Sequence, residues 1–556
     1  MTETDHPVTM PQDRLVDRRS FLTRMTALTA VATTGVAIVP AGGCAALPGA
    51  RLPGPADRAS RITNTHAYAT TVRPEALADA TELTIAEAAR LIRDRRLSPV
   101  ELTDSYLARI AEFDDAYRAF NLVLPESARA EAARLTTVAH RGPLHGIPLA
   151  IKDLFYTAGV PTTANSFIFR DFVPEFDATC VAHLRSEGSI VLGKTQMGPL
   201  ATTRATTPTG DVTTVNAWTP EDSSVSPGGS SSGSATAVAA RLAASSLGTQ
   251  TGGSITSPST AQGLTGLKPT MGRVSAYGVI PLSYTRDHPG PIARDAKDAA
   301  IVLQAIAGPD PHDPRTAGLP PVPDLIEAAT SLQRRGRVVL RWPTTIGVLP
   351  DYTSGDSAAA SARTAMLAAF EGLGARVVEV GLPEDWEILT GSAFNNVRLV
   401  ERTEQLLEYL KRDVRLFGVS LSGWINGLFV SGDEYLKGQR AKLVLLRRVL
   451  NDLFAQCDVV VQTSPVPFDI IGLPEIAFPI GFDRTNERPR PIGAILGGLP
   501  FGEERLLSVV AAYQATTDWH LMRPQNPVSP AQGGRSGSRE LNRGRIRLED
   551  VGDSSD

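Results

Sequence analysis

Three segments of this 556-residue sequence carry side chains that could act together on an acyl group. Lys152 closes a mostly apolar run, Ser230 lies in a glycine- and serine-rich run, and Ser254 follows two glycines. A serine hydroxyl is a poor nucleophile at neutral pH, so it needs a base within hydrogen-bond reach and donors for the developing oxyanion. Each segment alone is a weak signal, but their order and spacing together favour covalent serine chemistry.

Lys152 is the candidate base. A lysine accepts a proton only when it is neutral, and burial lowers its pKa because a low-dielectric surrounding disfavours the charged form. Asp153 would oppose this if it faced the same way, but strand alternation places it on the opposite face. The apolar neighbours that would provide the burial are Ile147, Leu149, Ile151, Leu154 and Phe155.

The two glycines before Ser254 favour an anion-binding turn. Gly252 and Gly253 can adopt backbone conformations that larger residues disfavour, so that several consecutive amides face one point. Such a group of donors would receive the oxyanion of a carbonyl substrate. The turn and the nucleophile are therefore expected in the same short segment.

The motifs around these residues resemble those of the amidase signature family. The central ones are Gly-Gly-Ser-Ser-Ser-Gly-Ser-Ala at 228–235, Gly-Thr-Gln-Thr-Gly-Gly-Ser-Ile at 248–255, Gly-Leu-Lys-Pro-Thr at 266–270 and Asp-His-Pro-Gly-Pro at 287–291. Outer ones are Gly-Pro-Leu-His-Gly-Ile-Pro at 142–148, Leu-Pro-Glu-Ile at 473–476 and Pro-Phe-Gly-Glu at 500–503. The resemblance implies an α/β fold, a single large domain with a central mixed β-sheet covered by helices.

The resemblance also implies roles for individual residues. Lys152 matches the catalytic lysine, Ser230 the bridging serine that is often beside a cis peptide bond, and Ser254 the nucleophile. Ser231 would hydrogen-bond near the lysine. The backbone amides that would receive the oxyanion are those of Thr251, Gly252, Gly253 and Ser254. These parts predict an amidase that cleaves the C–N bond of a linear amide through an acyl-enzyme, with no cofactor and no metal.

Two positions depart from the family pattern. Many members have Asp where Gln250 stands and Arg where Thr256 stands. Because both charges are missing together, no buried charge is left unpaired, and neutral hydrogen bonding could replace an ion pair. We expect catalysis to be retained, with an effect on substrate contacts that the sequence does not define.

The elements that must position these residues alternate between helix and strand. Apolar residues recur at helical spacing from Thr84 to Arg95, and Ser98-Pro99-Val100-Glu101 combines an N-cap, a first-turn proline and a capping-box glutamate. Buried strands are predicted in 146–152 and 189–193. Long amphipathic helical patterns occupy 399–416 and 440–454.

The termini read as segments outside the catalytic domain. Arg18 and Arg19 precede an uncharged apolar run, which resembles a twin-arginine export signal, and Cys44 closes a segment similar to a lipobox. The predicted organisation is a signal over 1–44, a linker over 45–80, the catalytic domain over 81–523 and a disordered tail over 524–556. This predicts a protein that is periplasmic, extracellular or lipid-anchored at Cys44.

Composition excludes several other classes. The formal net charge of −4 offers no basic surface for nucleic acid. The three cysteines and the histidines show no metal-ligand spacing. No Gly-x-Ser-x-Gly elbow of an α/β-hydrolase and no P-loop lysine are found.

Two alternatives remain open from the sequence. One is a protein like the A subunit of a tRNA-dependent amidotransferase, which the export signal opposes. The other is an inactive secreted binding protein on the same fold. For an active enzyme the expected substrate is a small-molecule or peptide amide, since the Ser-Ser-Ser-Gly-Ser form at 230–234 resembles members that deamidate peptide C-termini. The oligomeric state is left undefined.

Overall fold

A computed structural model describes residues 65–485 and 487–527 of the chain. The predicted export signal, with Arg18, Arg19 and Cys44, lies outside the described residues. The same holds for the predicted tail from residue 528 onward. The elements below are numbered in chain order within the described part.

Eleven strands form one mixed sheet, in the order β1-β3-β2-β4-β6-β5-β12-β13-β11-β9-β10, and β7 and β8 form a separate hairpin. β2 pairs in parallel with both β3 and β4, whereas β4 pairs with β6 in antiparallel orientation. The strands are β1 Phe120–Val123, β2 Pro148–Lys152, β3 Ile190–Thr195, β4 Ser245–Gln250, β5 Thr265–Lys268, β6 His288–Ala293, β7 Leu332–Arg334, β8 Arg337–Val339, β9 Thr345–Val348, β10 Arg376–Glu379, β11 Val459–Gln462, β12 Glu475–Asp483 and β13 Arg490–Gly498.

Helices surround this sheet. The α-helices are α1 Thr65–Tyr68, α2 Ile85–Arg93, α3 Pro99–Tyr117, α4 Pro125–Thr137, α5 Thr179–Ser186, α6 Ser232–Ala239, α7 Thr256–Gln262, α8 Ala296–Ile306, α9 Leu325–Ala328, α10 Ala358–Gly372, α11 Trp386–Thr390, α12 Ser392–Asn395, α13 Val397–Gln405, α14 Leu407–Arg412, α15 Leu421–Ile425, α16 Gly432–Arg448, α17 Val466–Ile471 and α18 Glu503–Gln514. Every residue of β2, β3, β4 and β6 is buried, which indicates cover on both faces of the central strands. The predicted α/β fold with a helix-covered mixed sheet is confirmed.

The two predicted N-terminal helices form with the predicted caps. Thr84 and Glu87 make a reciprocal capping box at the start of α2. Ser98 and Glu101 make the same pair at the start of α3, where Pro99 occupies the first turn. Each box satisfies amide donors that have no partner inside the helix. The strands predicted in 146–152 and 189–193 also form, as β2 and β3.

The long amphipathic patterns are broken rather than continuous. The segment predicted at 399–416 divides into α13, α14 and a 3₁₀ helix over Val414–Ser420, with a non-helical Gly418 inside it. Helix α16 continues into a π-helical turn, Val449–Leu453. Periodicity reports which residues face the core but not where the backbone changes direction. None of the described helices alone is long and apolar enough to cross a bilayer; Val414–Phe429 and Gly432–Leu453 together have the required length and composition but meet at 96°.

Ordered structure extends past both predicted limits of the catalytic domain. Ala67 and Ala76, which lie in the predicted linker, are fully buried in the core. Asn526, in the predicted tail, accepts a hydrogen bond from Arg109 at 2.6 Å. The predicted linker and tail are therefore too long on the side of the domain, because single small or polar residues give no periodic signal.

Candidate active site

The predicted base and nucleophile lie at the same edge of the sheet. Lys152 is the last residue of β2, and Ser254 follows β4 in the turn that leads into α7. β2 and β4 are adjacent and parallel, so their carboxyl ends meet at one edge, which is where open α/β sheets commonly bind ligands. Ser230 and Ser231 immediately precede α6, which packs against the same strands.

Lys152 is fully buried and has three oxygen neighbours. Its Nζ lies 2.9 Å from Ser230 Oγ, 2.9 Å from Thr249 Oγ1 and 3.5 Å from the Thr249 carbonyl. A neutral amine has two N–H donors and one lone pair. It can therefore donate to both oxygens of Thr249 while it accepts the Ser230 hydroxyl proton. Burial lowers the pKa of Lys152 to about 7, and the negative charge of Asp287 opposes this shift.

The loop that carries Ser230 is fitted closely against the nucleophile segment. The Gly229–Ser230 peptide bond is cis. Gly228 has a φ of +75°, and a Cβ at this position would lie 2.4 Å from Pro258 Cα, so only glycine permits this approach. The two loops are thus in contact, although no hydrogen bond joins Ser230 to Ser254 in the described part of the chain. Hydrogen bonds of this kind are often long before substrate binds.

Ser231 lies beside the base without touching it. Its Oγ donates to the Thr249 carbonyl at 3.3 Å, the same oxygen that Lys152 Nζ approaches at 3.5 Å. The predicted hydrogen bond near the lysine is therefore made through Thr249. Both partners are buried, so this bond helps to fix the carbonyl that orients Lys152.

The turn before Ser254 differs from the prediction in two respects. Gly253 has a φ of +89°, but Gly252 lies outside the left-handed region. The Gly253 amide donates to Asp469 Oδ2 at 2.8 Å and so is not free for an oxyanion. Among the described residues the amides of Thr251, Gly252 and Ser254 have no protein acceptor. These three, rather than all four predicted amides, are available to stabilise negative charge.

Asp287 is a site residue that sequence reasoning did not assign. Its Oδ1 accepts from Thr251 Oγ1, and its Oδ2 accepts from the Leu282 and Ser283 amides at 2.7 and 2.9 Å. Burial raises the pKa of Asp287, whereas these hydrogen bonds lower it. The carboxylate thus holds the Thr251 side chain and also acts electrostatically on Lys152. Thr251 contributes its hydroxyl to the frame of the site.

Gln250 and Thr256 interact as neutral partners. Gln250 Oε1 accepts from the Ile255 and Thr256 amides at 2.9 Å and from Thr256 Oγ1 at 3.2 Å. Its Nε2 donates to Asp469 at 2.9 Å and to Glu475 at 2.8 Å. The expectation that neutral hydrogen bonding replaces an ion pair here agrees with this geometry.

Behind Gln250 lies a buried charged cluster. Lys268 Nζ is 3.7 Å from Asp469 and 3.5 Å from Glu475, and all three side chains are fully buried. Burial raises the pKa of both carboxyl groups, most strongly that of Glu475, while the Lys268 ammonium lowers them. Since Asp469 also binds the Gly253 amide, the cluster ties the nucleophile turn to α17 and β12.

Two of the missed residues differ in how they could have been found. Thr249 faces Lys152 while its neighbour Gln250 faces Asp469, as strand alternation requires, so a two-residue count back from Thr251 would have identified it. Asp469 offers no such signal. It lies 216 positions from Gly253, and only folding brings the two together.

No metal site accompanies this arrangement within 65–485 and 487–527, where no group of three or more His, Cys, Asp or Glu side chains could hold an ion. The chemistry that the geometry supports is carried by a neutral amine, serine hydroxyl groups and backbone amides. These are the parts that acyl transfer to a serine requires.

Known proteins match this chain over most of its length. A family model described as Amidase matches residues 101–464. The A subunit of glutamyl-tRNA(Gln) amidotransferase from Roseiflexus sp. strain RS-1 is 35% identical over 496 residues, which cover 80% of this chain and 99% of that protein. The peptide amidase of Stenotrophomonas maltophilia superposes with a TM-score of 0.70 at 30% identity, covering 81% of this chain and 99% of that one. An amidase family protein of Bacillus anthracis has a TM-score of 0.68 at 26% identity, with 86% and 94% covered.

Proposed function

Because this chain belongs to the amidase family, we propose that it hydrolyses a carboxamide through an acyl-enzyme on Ser254, with Lys152 as the base and Ser230 between them. The observation that carries the proposal is the surroundings of Lys152 Nζ. It is fully buried, it has a pKa lowered to about 7, and it lies 2.9 Å from the Ser230 hydroxyl. A neutral amine in this position can take a proton at neutral pH.

Acylation begins when Ser254 Oγ attacks the carbonyl carbon. The Ser254 proton passes to Ser230 Oγ as the Ser230 proton passes to Lys152 Nζ, which becomes an ammonium. The free amides of the turn, those of Thr251, Gly252 and Ser254, stabilise the oxyanion that forms. When the C–N bond breaks, the proton returns from Lys152 through Ser230 to the leaving nitrogen, and an ester to Ser254 remains.

Deacylation repeats the relay with water. Water adds to the ester carbonyl and gives its proton through Ser230 to Lys152. The ester C–O bond then breaks, the proton returns to Ser254 Oγ, and the carboxylic acid product leaves. Each proton is taken and returned once in each half of the cycle, so no cofactor is required.

A serine-directed fluorophosphonate probe tests the assignment of the nucleophile. The purified chain should be labelled at Ser254, and Ser254→Ala should lose both labelling and amide turnover. Its free energy of unfolding should change by no more than about 1 kcal/mol, since a small polar change outside core packing is involved. Ser223→Ala, an exposed serine, is the matched control and should behave as the parent protein. Labelling of Ser254→Ala at an unchanged rate would refute the assignment.

Two substrate classes form the first panel. Peptide amides are included because a solved peptide amidase shares 30% identity with this chain, and simple aliphatic and aryl amides are included beside them. The alternative function is glutamine hydrolysis for transfer to a tRNA-bound acceptor, which the 35% identity to a glutamyl-tRNA(Gln) amidotransferase component favours. Turnover by the purified chain alone supports the amidase, whereas turnover only in the presence of partner subunits supports the alternative. An inactive binding protein would show neither turnover nor labelling.

Export is the remaining part of the proposal. Arg18 and Arg19 followed by an apolar run support transport by the twin-arginine route, and Cys44 supports a lipid anchor. Replacing both arginines with lysine should leave unprocessed precursor in the cytoplasm. The mass of the mature N-terminus distinguishes an acylated Cys44 from a conventional cleavage.

A further inference from the structure

An arginine side chain lies over the turn that carries the nucleophile. A Cβ at Gly252 would meet a single neighbour within 4 Å, the Nη1 atom of Arg398, at 3.5 Å. Gly252 itself is exposed. Since consecutive Cα atoms are about 3.8 Å apart, Gly252 and Ser254 are separated by less than roughly 8 Å. The guanidinium group of Arg398 therefore borders the space in which a substrate of Ser254 must lie.

Helix α13 presents a second arginine on the same side. Arg398 and Arg402 are four residues apart in Val397–Gln405, so they lie one above the other on one face. The Arg402 guanidinium carbon stands 5.7 Å from the ring centre of Trp424. The Nε atoms of both arginines are buried and have no hydrogen-bond acceptor among the described residues.

A third arginine supports the position of α13. Arg286 is fully buried, and its Nη1 donates to Asn395 Oδ1 at the end of α12, just before α13. Its Nε has no acceptor in the part of the chain that the structure describes. Arg286 is next to Asp287, which binds Thr251, so one chain of contacts joins α13 to the turn on which Arg398 lies.

None of these three arginines forms an ion pair within residues 65–485 and 487–527. The three carboxylates that act on them electrostatically are Asp287, Asp469 and Glu401. Each is already engaged at both oxygens. Asp287 accepts from Thr251 and two amides, Asp469 from Gln250 and the Gly253 amide, and Glu401 from Ser283, Thr285 and Gln439.

A largely buried guanidinium without a counter-ion is costly. Burial lowers the pKa of Arg398 and that of Arg402, the latter to about 10, so both remain charged at neutral pH. A guanidinium group presents a planar fork of donors that matches a carboxylate, and charge-assisted bonds of this type are among the strongest in proteins. Arg398 has both the free charge and the access that such a ligand requires.

We propose that Arg398, backed by Arg402, binds a carboxylate of the substrate, and that the preferred substrates are amides with a carboxylate a few carbon atoms from the scissile carbonyl. The inference rests on the proposed amidase function and narrows its substrate class. The distance from Gly252 to Ser254 suits a spacer of about two or three carbon atoms, as in succinamate and glutaramate. Peptide amides without an acidic group near the C-terminus would be poor substrates.

The test uses the rate at which a neutral fluorophosphonate labels Ser254. Succinate and glutarate, the products expected from the two acid amides, should slow labelling of the parent protein by competition. Arg398→Met should weaken their inhibition constants by about 10- to 100-fold, the range of a charge-assisted bond. Arg398→Lys should retain part of the inhibition. Arg440→Met, an exposed arginine on α16, is the matched control and should leave the constants unchanged.

Turnover gives a second readout. The kcat/KM for succinamate should exceed that for the neutral succinamide, and Arg398→Met should remove the difference while preserving turnover of succinamide. Equal losses on both substrates would overturn the inference, because Arg398 would then act on the oxyanion rather than on a substrate carboxylate. Dicarboxylates that leave labelling of the parent protein unchanged would overturn it as well. A parent protein that is not labelled at all would instead refute the amidase function on which the inference rests.

Discussion

Lys152 combines the two properties that a lysine base needs. It lies in a fully buried strand end, and its three polar neighbours are the hydroxyl of Ser230 and the two oxygens of Thr249. Asp287 acts on it only at a distance, since its oxygens are held by Thr251 and two backbone amides. Desolvation therefore outweighs the attraction of the nearby carboxylate, and the pKa falls to about 7.

The activity should follow the neutral form of Lys152. Above pH 7 the amine is free to accept a proton, and below it the ammonium form accumulates. We expect kcat/KM at pH 6 to be about one-tenth of its alkaline plateau, with the apparent pKa belonging to the coupled lysine and serine pair. Lys152→Ala should remove this acidic limb together with most of the rate.

A histidine substitution provides the contrast. His140→Gln should leave the limb in place, because burial already lowers the pKa of His140 to about 4 and the residue is remote from the site. An acidic limb that persists in Lys152→Ala with near-normal turnover would exclude the lysine as the base.

The turn between β4 and α7 is the element that sets the nucleophile. Its two glycines have different reasons to be glycine. Gly253 has a φ of +89°, and a Cβ there would lie 2.9 Å from Ser257 Oγ and 3.1 Å from Pro465 Cγ. Gly252 has no positive φ, and a Cβ there would only reach ordinary contact with Arg398. The turn is held from behind by Asp469 through the Gly253 amide.

The matched pair Gly253→Ala and Gly252→Ala separates these effects. Gly253→Ala should lower the free energy of unfolding by about 1–2 kcal/mol, the cost of a left-handed conformation for a residue with a Cβ. It should also lower kcat, because the shifted turn moves the Ser254 amide. Gly252→Ala should change the free energy of unfolding by less than about 0.5 kcal/mol. Equal destabilisation by the two, measured by denaturant unfolding, would contradict this account of the turn.

At the scale of the whole molecule, the domain places ionisable groups in its interior. Lys152, Lys194 and Lys268 are all fully buried. Lys194 lies 3.6 Å from Asp153, and Lys268 lies between two carboxylates, whereas Lys152 has no carboxylate within ion-pair distance in the described part of the chain. Of the three, Lys152 thus carries its desolvation cost with the least compensation, which makes it a functional feature that reduces stability.

Removing that cost should stabilise the fold in a pH-dependent manner. The pKa of Lys152 is about 7 in the folded protein and about 10.4 in the unfolded chain, so folding expels a proton between these values. The cost is largest at pH 7 and below and disappears as the pH approaches 10.4. Lys152→Met should therefore raise Tm more at pH 7 than at pH 9, with a difference on the order of 2 kcal/mol in unfolding free energy.

An exposed lysine serves as the control for this effect. Lys437 forms an ion pair with Asp433 that raises its pKa, so it stays charged throughout this range. Lys437→Met should give a Tm change that is the same at pH 7 and pH 9. A Tm gain for Lys152→Met that does not depend on pH would show that the lysine is not neutral in the folded state.

Much of the fold could be predicted from the sequence, because its signals are local. Capping boxes at Thr84 and Ser98, the apolar runs that became β2 and β3, and the glycine-rich motifs all depend on residues within a few positions of one another. The family and the helix-covered mixed sheet followed from these and are confirmed. The roles of Lys152, Ser230 and Ser254 remain predictions that the geometry supports.

The tertiary structure decided which distant residues meet. Asp469 takes the Gly253 amide from 216 positions away, Asp287 holds Thr251 across 36 positions, and Arg398 reaches Gly252 from a helix whose long periodic pattern is broken by the fold. Periodicity and motif spacing report the face of an element but carry no information on the packing of one element against another. The sequence by itself therefore determined the reacting groups, whereas only the packing of α12, α13 and α17 against the nucleophile turn decided which amides stay free and which charge borders the substrate.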